Sequence, residues 1–134
     1  MIKAYAKGSR AERELAHFLN DKQFAVLRVP SSGGFLSPLD IVAIRRGVVL
    51  AFEIKSHRVR PRLRKEQITA FMEWCRKAGA LGFVAWRRGD AEGEERLSAS
   101  MRWMFLRAED ADAGRYDSEN WIERDRLLMA LGVE

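Results

Sequence analysis

The sequence is poor in cysteine and proline, and it contains no long apolar segment. Its one cysteine, Cys75, excludes an internal disulfide and cannot by itself form a cysteine-based zinc site. No uninterrupted apolar run approaches the roughly 20 residues that cross a membrane. The N-terminal stretch MIKAYAKGSR also lacks the apolar core of a secretion signal. We therefore expect a cytoplasmic protein with no membrane partner.

Acidic residues are scarce in the first two thirds of the chain. The net charge is +5, but residues 1–90 hold 18 Lys and Arg against 8 Asp and Glu, whereas residues 91–134 hold 6 against 11. This asymmetry predicts a cationic surface and a polyanionic partner, with nucleic acid ahead of a membrane surface. The alternative is a surface rich in exposed ion pairs, as in thermophilic proteins.

The hydrophobic pattern predicts an α/β fold in one domain, residues 1–134. Helical periodicity runs through residues 9–22, 65–78 and 117–131, and Ser9 is the expected N-cap of the first helix. Strand patterns cover residues 24–29, 39–44, 48–55, 81–86 and 102–106. This order predicts a mixed central sheet flanked by helices, with residues 1–8 as a basic N-terminal arm and residues 89–134 completing the domain.

Charged residues stand at the ends of two strands that follow each other in the chain. Asp40 lies at the start of one, and FEIKSH at 52–57 places Glu53 and Lys55 on one face of the next. A hairpin through Arg46-Gly47 would set the start of the first strand opposite the end of the second. We therefore expect Asp40 to lie close to Glu53 and Lys55.

Such a cluster has a chemical use. Two neighbouring carboxylates repel each other unless a cation lies between them, and oxygen ligands of this kind suit Mg²⁺ or Mn²⁺. A bound metal polarises a phosphoryl oxygen and supplies a hydroxide nucleophile, and the Lys55 ammonium would offset the charge that develops on the phosphate. The alternative is a cross-strand ion pair of Lys55 with Asp40 or Glu53 at a sheet edge.

A basic segment follows at once. In SHRVRPRLRK, residues 56–65, Pro61 argues against a helix, so the arginines should project together from an extended chain. We name residues 58–64 the arginine segment; its four arginines are Arg58, Arg60, Arg62 and Arg64. They are placed to hold a DNA backbone, and Lys3, Lys7 and Arg10 would track the same backbone. Contacts of this kind read shape rather than base sequence. The alternative is a solvated basic loop.

These residues resemble a known signature. P-(D/E)-x(n)-(D/E)-x-K marks a superfamily of metal-dependent nucleases, represented here by Asp40, Glu53 and Lys55, with Leu39 where proline is usual and Pro38 one place earlier. Four longer segments resemble the archaeal-type Holliday junction resolvases: KGSRAEREL at 7–15, FAVLRVPSSG at 24–33, LDIVA at 39–43 and FEIKS at 52–56. The resemblance spans about residues 7–88 and implies a restriction-endonuclease-like sheet.

The resemblance also implies roles for individual residues. Glu12 matches the helix carboxylate that joins the active site, and Arg13 matches its basic neighbour. Arg28 matches an arginine that meets a phosphate. Ser32 matches a serine that touches the scissile phosphate or the attacking water.

Two of these matches have competitors. Ser9-x-x-Glu12 is also a capping box, in which Glu12 would bond back to the cap amide, and Glu14 is the neighbour most easily confused with it. Ser31 competes with Ser32 in the loop.

The expected function is a structure-selective endonuclease that cuts paired strands near the crossover of a four-way DNA junction. A two-fold symmetric junction cut on two strands implies a homodimer with two equivalent sites. Asp40, Glu53, the Ile54 carbonyl and Glu12 would hold Mg²⁺, for which Mn²⁺ can substitute. Two alternatives are a restriction- or repair-type nuclease acting on duplex DNA and a catalytically silent DNA-binding module. The sequence leaves open whether a sliding clamp or a helicase binds the acidic C-terminal third.

Overall fold

The computed structural model describes residues 2–30, 37–89 and 97–133, with side chains from residue 8 onward. Ser31, Ser32 and the loop at residues 90–96 lie outside the described residues, and so do the side chains of Lys3 and Lys7. None of the described helices is both long enough and apolar enough to cross a bilayer.

The first helix, α1, is longer than its periodicity predicts. It spans Ile2–Asp21 and buries Ala11, Leu15 and Leu19. The prediction that Ser9 is the N-cap is therefore wrong, and the capping box with Glu12 is excluded. Residues 2–8, predicted as a basic arm, continue the helix, because their Ala and Lys residues favour it. The Ser9 hydroxyl instead accepts a hydrogen bond from Nη1 of Arg13, at 3.0 Å.

Six strands form one mixed sheet in the order β1-β2-β3-β4-β5-β6. Their bounds are Ala25–Arg28, Ile41–Arg45, Val48–His57, Leu81–Arg88, Trp103–Arg107 and Ile122–Glu123. β3 and β4 are parallel and are linked by α2, Lys65–Ala78, while the other pairs are antiparallel. The predicted mixed sheet flanked by helices is confirmed.

Helix α2 has the predicted bounds. Its buried stripe is Ile68, Phe71 and Cys75, which recur at the spacing of one helix face. At its start, Gln67 Oε1 accepts a hydrogen bond from the Arg64 amide at 3.1 Å. Gly79 ends it at φ 67°, a left-handed conformation that glycine adopts without steric cost.

The predicted closing helix at 117–131 is wrong in its first half. A 3₁₀ turn at Ser118–Asn120 and the edge strand β6 precede a short helix, α5, at Arg124–Ala130. Strand pairing explains the difference: Ile122 and Glu123 pair with Phe105 and Met104 of β5, which outweighs local helix preference. The short helices α3, Ala99–Arg102, and α4, Ala108–Asp112, flank β5 and were not predicted.

The sheet lies between two apolar layers. On one face, Phe52, Phe83 and Phe105 pack with α1 and α5. On the other, Val84, Trp86 and Leu106 pack with α2 and α4. Apolar side chains fill both layers. The charged residues at the start of β2 and in the last part of β3 therefore lie at the margin of the sheet.

Candidate active site

Asp40 is fixed on two sides by backbone hydrogen bonds. Its amide donates to the Phe52 carbonyl, and its carbonyl accepts from the Val29 amide, both at 2.8 Å. The β2–β3 register pairs Ile41 with Phe52 and so sets Asp40 opposite Glu53. The Asp40 carboxylate accepts a hydrogen bond from the Ile54 amide, 2.7 Å from Oδ2. The carboxylate is therefore buried in a defined orientation.

Glu53 and Lys55 meet Asp40 as the hairpin predicts. Asp40 is 6% and Glu53 8% exposed, and the two carboxyl groups are in hydrogen-bond contact. Lys55 Nζ lies 3.8 Å from Glu53 Oε1. Two buried acids beside one ammonium leave negative charge uncompensated, which is costly in a low-dielectric site unless a cation or a proton neutralises it.

The surroundings of the acid pair shift the pKa of Glu53. Burial raises the pKa of Glu53 to about 8, the neighbouring Asp40 carboxylate adds to the shift, and Lys55 opposes it. Burial also raises the pKa of Glu12, again with help from Asp40 and against Arg28. Perturbed carboxyls of this kind cluster at functional sites. Because the pKa of Glu53 is about 8, Glu53 without a bound metal holds a proton at neutral pH.

Glu12 and Glu14 on α1 have different surroundings. Glu12 faces the acid pair, and its Oε1 lies 3.8 Å from Nη2 of Arg28. Glu14 instead accepts a hydrogen bond from Nε of Arg87 at 2.9 Å and another from the indole N–H of Trp103. The structure brings Glu12, and not Glu14, to the acid pair.

The donor set suits a hard divalent cation, because carboxylate oxygens are the ligands that Mg²⁺ and Mn²⁺ prefer. Across residues 2–30, 37–89 and 97–133, no three His, Cys, Asp or Glu side chains converge into a ready cage for a metal ion. Asp40 and Glu53 converge, and Glu12 lies near them in an ion pair with Arg28. The Ile54 carbonyl stays a predicted ligand.

The arginines predicted to contact phosphate are exposed to solvent. Arg10, Arg13 and Arg28 are exposed, with Arg28 at the end of β1. The arginine segment starts three positions beyond Lys55 and is not helical, as Pro61 predicts. All four of its arginines are exposed, whereas Pro61 and Leu63 are buried. The alternation turns Arg60, Arg62 and Arg64 outward together.

Sequence reasoning missed two features of the site. The hydrogen bond from the Ile54 amide to Asp40 joins residues 14 positions apart, and it follows only from the exact strand register. Arg87 donates a hydrogen bond to Glu14 and lies near the end of β4, an otherwise apolar strand. An arginine at the end of an apolar strand was the one signal in the sequence for this contact.

Comparison with known proteins identifies the family. A sequence model described as archaeal Holliday junction resolvase (Hjc) matches residues 3–126. The chain belongs to that family.

Curated relatives of this resolvase family support the assignment. Crossover junction endodeoxyribonuclease Hjc of Sulfolobus acidocaldarius is 38% identical over 82 residues, which cover 58% of this chain and 57% of that protein. The protein of the same name from Sulfurisphaera tokodaii is 35% identical over 83 residues, covering 59% of this chain and 58% of the relative. The match therefore spans less than two thirds of the relatives' length.

A solved resolvase structure shares the fold. Hjc of Archaeoglobus fulgidus, a Holliday junction resolvase from an archaeal hyperthermophile, superposes with a TM-score of 0.57 at 29% identity. The superposition covers 77% of this chain and 74% of that chain. The family and the fold predicted from the sequence are confirmed. The catalytic, metal-binding and DNA-binding roles stay predictions.

Proposed function

We propose that this chain is a metal-dependent endonuclease that resolves four-way DNA junctions by paired nicks near the crossover. The observation that carries the proposal is the buried Asp40–Glu53 pair with the Lys55 ammonium 3.8 Å from Glu53. A buried acid pair that a single ammonium compensates only in part is unfavourable in a core and useful at a phosphate-cleaving site. The names of the relatives, crossover junction endodeoxyribonucleases, favour junction DNA as the substrate.

Each residue of the site has its own role in the proposed reaction. Asp40 and Glu53, with Glu12 and the Ile54 carbonyl, would hold Mg²⁺, or Mn²⁺ in its place. When bound, the metal supplies Lewis-acid polarisation of the phosphate and a water of lowered pKa. Lys55 orients the attacking water or stabilises the charge that develops on the phosphate, while Arg28 contacts a phosphate oxygen. Ser32, outside the described residues, is proposed to touch the scissile phosphate or the water.

The hydrogen bond from the Ile54 amide keeps the Asp40 carboxylate in one orientation, so little reorganisation is needed when the metal and DNA bind. Because metal-free Glu53 holds a proton at neutral pH, metal binding should release that proton. The products are nicks with 5′-phosphate and 3′-hydroxyl ends.

DNA binding comes from charged side chains that contact the phosphate backbone of the DNA rather than its bases. The proposed set is Lys7, Arg10, Arg13, Arg28, Arg58, Arg60, Arg62 and Arg64. Its spread along α1, β1 and the arginine segment favours recognition of junction shape. Two cuts across a two-fold junction favour a homodimer. A cytoplasmic location is part of this proposal.

Junction cleavage tests the proposal directly. An end-labelled four-way junction and a linear duplex of the same sequence are incubated with the protein, with Mg²⁺ or with EDTA. We expect junction cutting only with Mg²⁺ and little duplex cutting. Glu53→Ala should slow cutting by at least about a hundredfold, the scale of one lost electrostatic group. Glu73→Ala, an exposed glutamate on α2, is the matched control and should cut normally.

The other outcomes point to other functions. Equal cutting of junction and duplex would make the protein a duplex nuclease of the restriction or repair type. Tight junction binding without cutting by the wild type would make it a silent DNA-binding module. Either result overturns the proposal.

A further inference from the structure

Aromatic side chains from distant parts of the chain hold the arginine segment near both of its ends. At the start, the indole N–H of Trp86 donates to the His57 carbonyl at 2.9 Å. At the end, the Leu63 amide donates to the Tyr116 hydroxyl at 3.2 Å. The arginine segment, which has no helical or strand periodicity, is therefore hydrogen-bonded to β4 near its start and to the chain between α4 and β6 near its end.

Tyr116 also holds one arginine directly. The Arg62 guanidinium lies 4.8 Å from the centre of the Tyr116 ring, within the range of a cation–π contact. Tyr116 is 8% exposed, so the ring that carries Arg62 is itself fixed. In the described part of the chain, no comparable ring lies beside Arg60, although it is equally exposed. Arg62 is therefore held more firmly than Arg60 in the same segment.

The support continues behind Tyr116. The Trp121 indole donates to the Tyr116 carbonyl at 3.0 Å, and its ring meets that of Trp86 edge-on at 5.5 Å. We name Trp86, Tyr116 and Trp121 the aromatic bracket. It joins the two attachment points of the arginine segment through one packed unit. A displacement of Tyr116 would therefore move the end of the arginine segment that carries Arg62 and Leu63.

We propose that Tyr116 is a positioning residue for DNA binding: it stacks with Arg62 and fixes the adjacent Leu63 backbone, so the Arg62 guanidinium meets DNA already ordered. The inference rests on the proposed function. A free arginine loses side-chain freedom when it binds a phosphate, and an arginine stacked in advance loses less. Arg62 contacts the phosphate backbone, and Tyr116 acts through Arg62 without touching DNA.

A double-mutant cycle tests this coupling. Junction affinity is measured over a range of salt concentrations for Tyr116→Leu, Arg62→Ala and the double variant. We expect Tyr116→Leu to weaken binding about two- to tenfold, the effect of ordering one long side chain. Arg62→Ala should reduce the salt slope by about one phosphate contact, whereas Tyr116→Leu keeps the Arg62 charge and should leave the slope nearly unchanged. The double variant should bind no worse than Arg62→Ala, because Tyr116 acts through that arginine.

Arg60 provides the matched control. Combining Tyr116→Leu with Arg60→Ala should give additive losses, because no contact joins that pair. Additive losses with Arg62→Ala as well would overturn the inference, since Tyr116 would then act only through general stability.

A second pair of variants leaves Tyr116 intact. Arg62→Lys keeps the charge but loses the planar group that stacks on the ring, so it should weaken binding several-fold more than Arg60→Lys. Equal effects of the two substitutions would also overturn the inference. Wild-type protein that binds no DNA would remove the proposed function as well, whereas junction cutting with a failed cycle would remove this inference alone.

Discussion

Two glutamates that sit two positions apart on α1 show how neighbouring residues acquire different roles. Glu12 faces the buried acid pair, and Glu14 accepts hydrogen bonds from Arg87 and from the buried indole of Trp103. Residues two apart on a helix point about 200° apart, so only one of them can face the site. Burial and the Asp40 charge then raise the pKa of Glu12.

Alanine substitutions should separate these roles. Glu12→Ala should reduce junction cleavage about a hundredfold and change the free energy of unfolding by less than about 0.5 kcal/mol. Glu14→Ala should preserve the cleavage rate but destabilise the fold by about 1–3 kcal/mol, since it leaves the Trp103 N–H buried without its acceptor. Urea denaturation and junction cleavage measure the two effects. Inactivation by Glu14→Ala without loss of stability would contradict the assignment.

The raised pKa of Glu53 should make the metal-free protein sensitive to alkaline pH. The folded-state pKa, about 8, lies above the ordinary value of 4.5, so the folded state binds the proton more tightly than the unfolded state does. The resulting stability is complete below about pH 4.5 and is lost as the pH rises towards 8. In EDTA, Tm should therefore fall between pH 6 and pH 9.

Glu53→Gln supplies the comparison for that titration, because the amide cannot ionise. Thermal unfolding in EDTA should show a smaller fall in Tm between pH 6 and pH 9 for this variant than for the wild type. Parallel curves for the two proteins would show that Glu53 does not carry the effect.

At the scale of elements, α2 and β4 are in close contact at a glycine. A Cβ on Gly82 would stand 2.7 Å from Cys75 Sγ and 3.2 Å from both Ala108 Cβ and Phe71 Cζ. These neighbours come from α2 and α4 and belong to one packed layer, so none can move far. The absence of a side chain at residue 82 lets the crossover helix lie close to the sheet.

Gly82→Ala should therefore destabilise the protein by about 1–3 kcal/mol, the usual effect of overpacking. Gly8→Ala is the matched control: it lies in α1 with nothing within 4 Å of the added Cβ, so it should be neutral or stabilise by up to about 1 kcal/mol. Chemical denaturation measures both. A neutral Gly82→Ala would mean that α2 can shift outward without loss of packing.

At the scale of the whole molecule, the sheet leaves an apolar area uncovered. Leu27 on β1 is 65% exposed and Ile44 on β2 is 38% exposed. The register places both on one face, since Leu27 pairs with Val42, two residues from Ile44. An exposed apolar area on neighbouring strands is typical of a protein interface. We therefore assign this area to the interface of the proposed homodimer.

Light scattering should accordingly give twice the mass of one chain at micromolar concentration. Leu27→Asp should shift the equilibrium towards monomer and slow paired nicking, because a buried unpaired carboxylate opposes association. Met129→Asp, at an equally exposed apolar position on α5, should remain dimeric. A wild-type chain that stays monomeric on junction DNA would refute the symmetric arrangement.

The sequence by itself determined features that depend on local periodicity and chain reversal. The bounds of α2 follow from its apolar spacing and from Gly79, and the hairpin turn at Arg46-Gly47 sets the register that brings Asp40, Glu53 and Lys55 together. The family resemblance added Glu12. The superposition on a solved resolvase confirmed the fold.

Only the tertiary structure decided the rest. The strand pairing of Ile122 with Phe105 and the hydrogen bond from the Leu63 amide to the Tyr116 hydroxyl both depend on contacts between residues far apart in the chain. Such contacts leave no periodic pattern in the sequence, because their energy comes from burial and hydrogen bonds made after the elements pack.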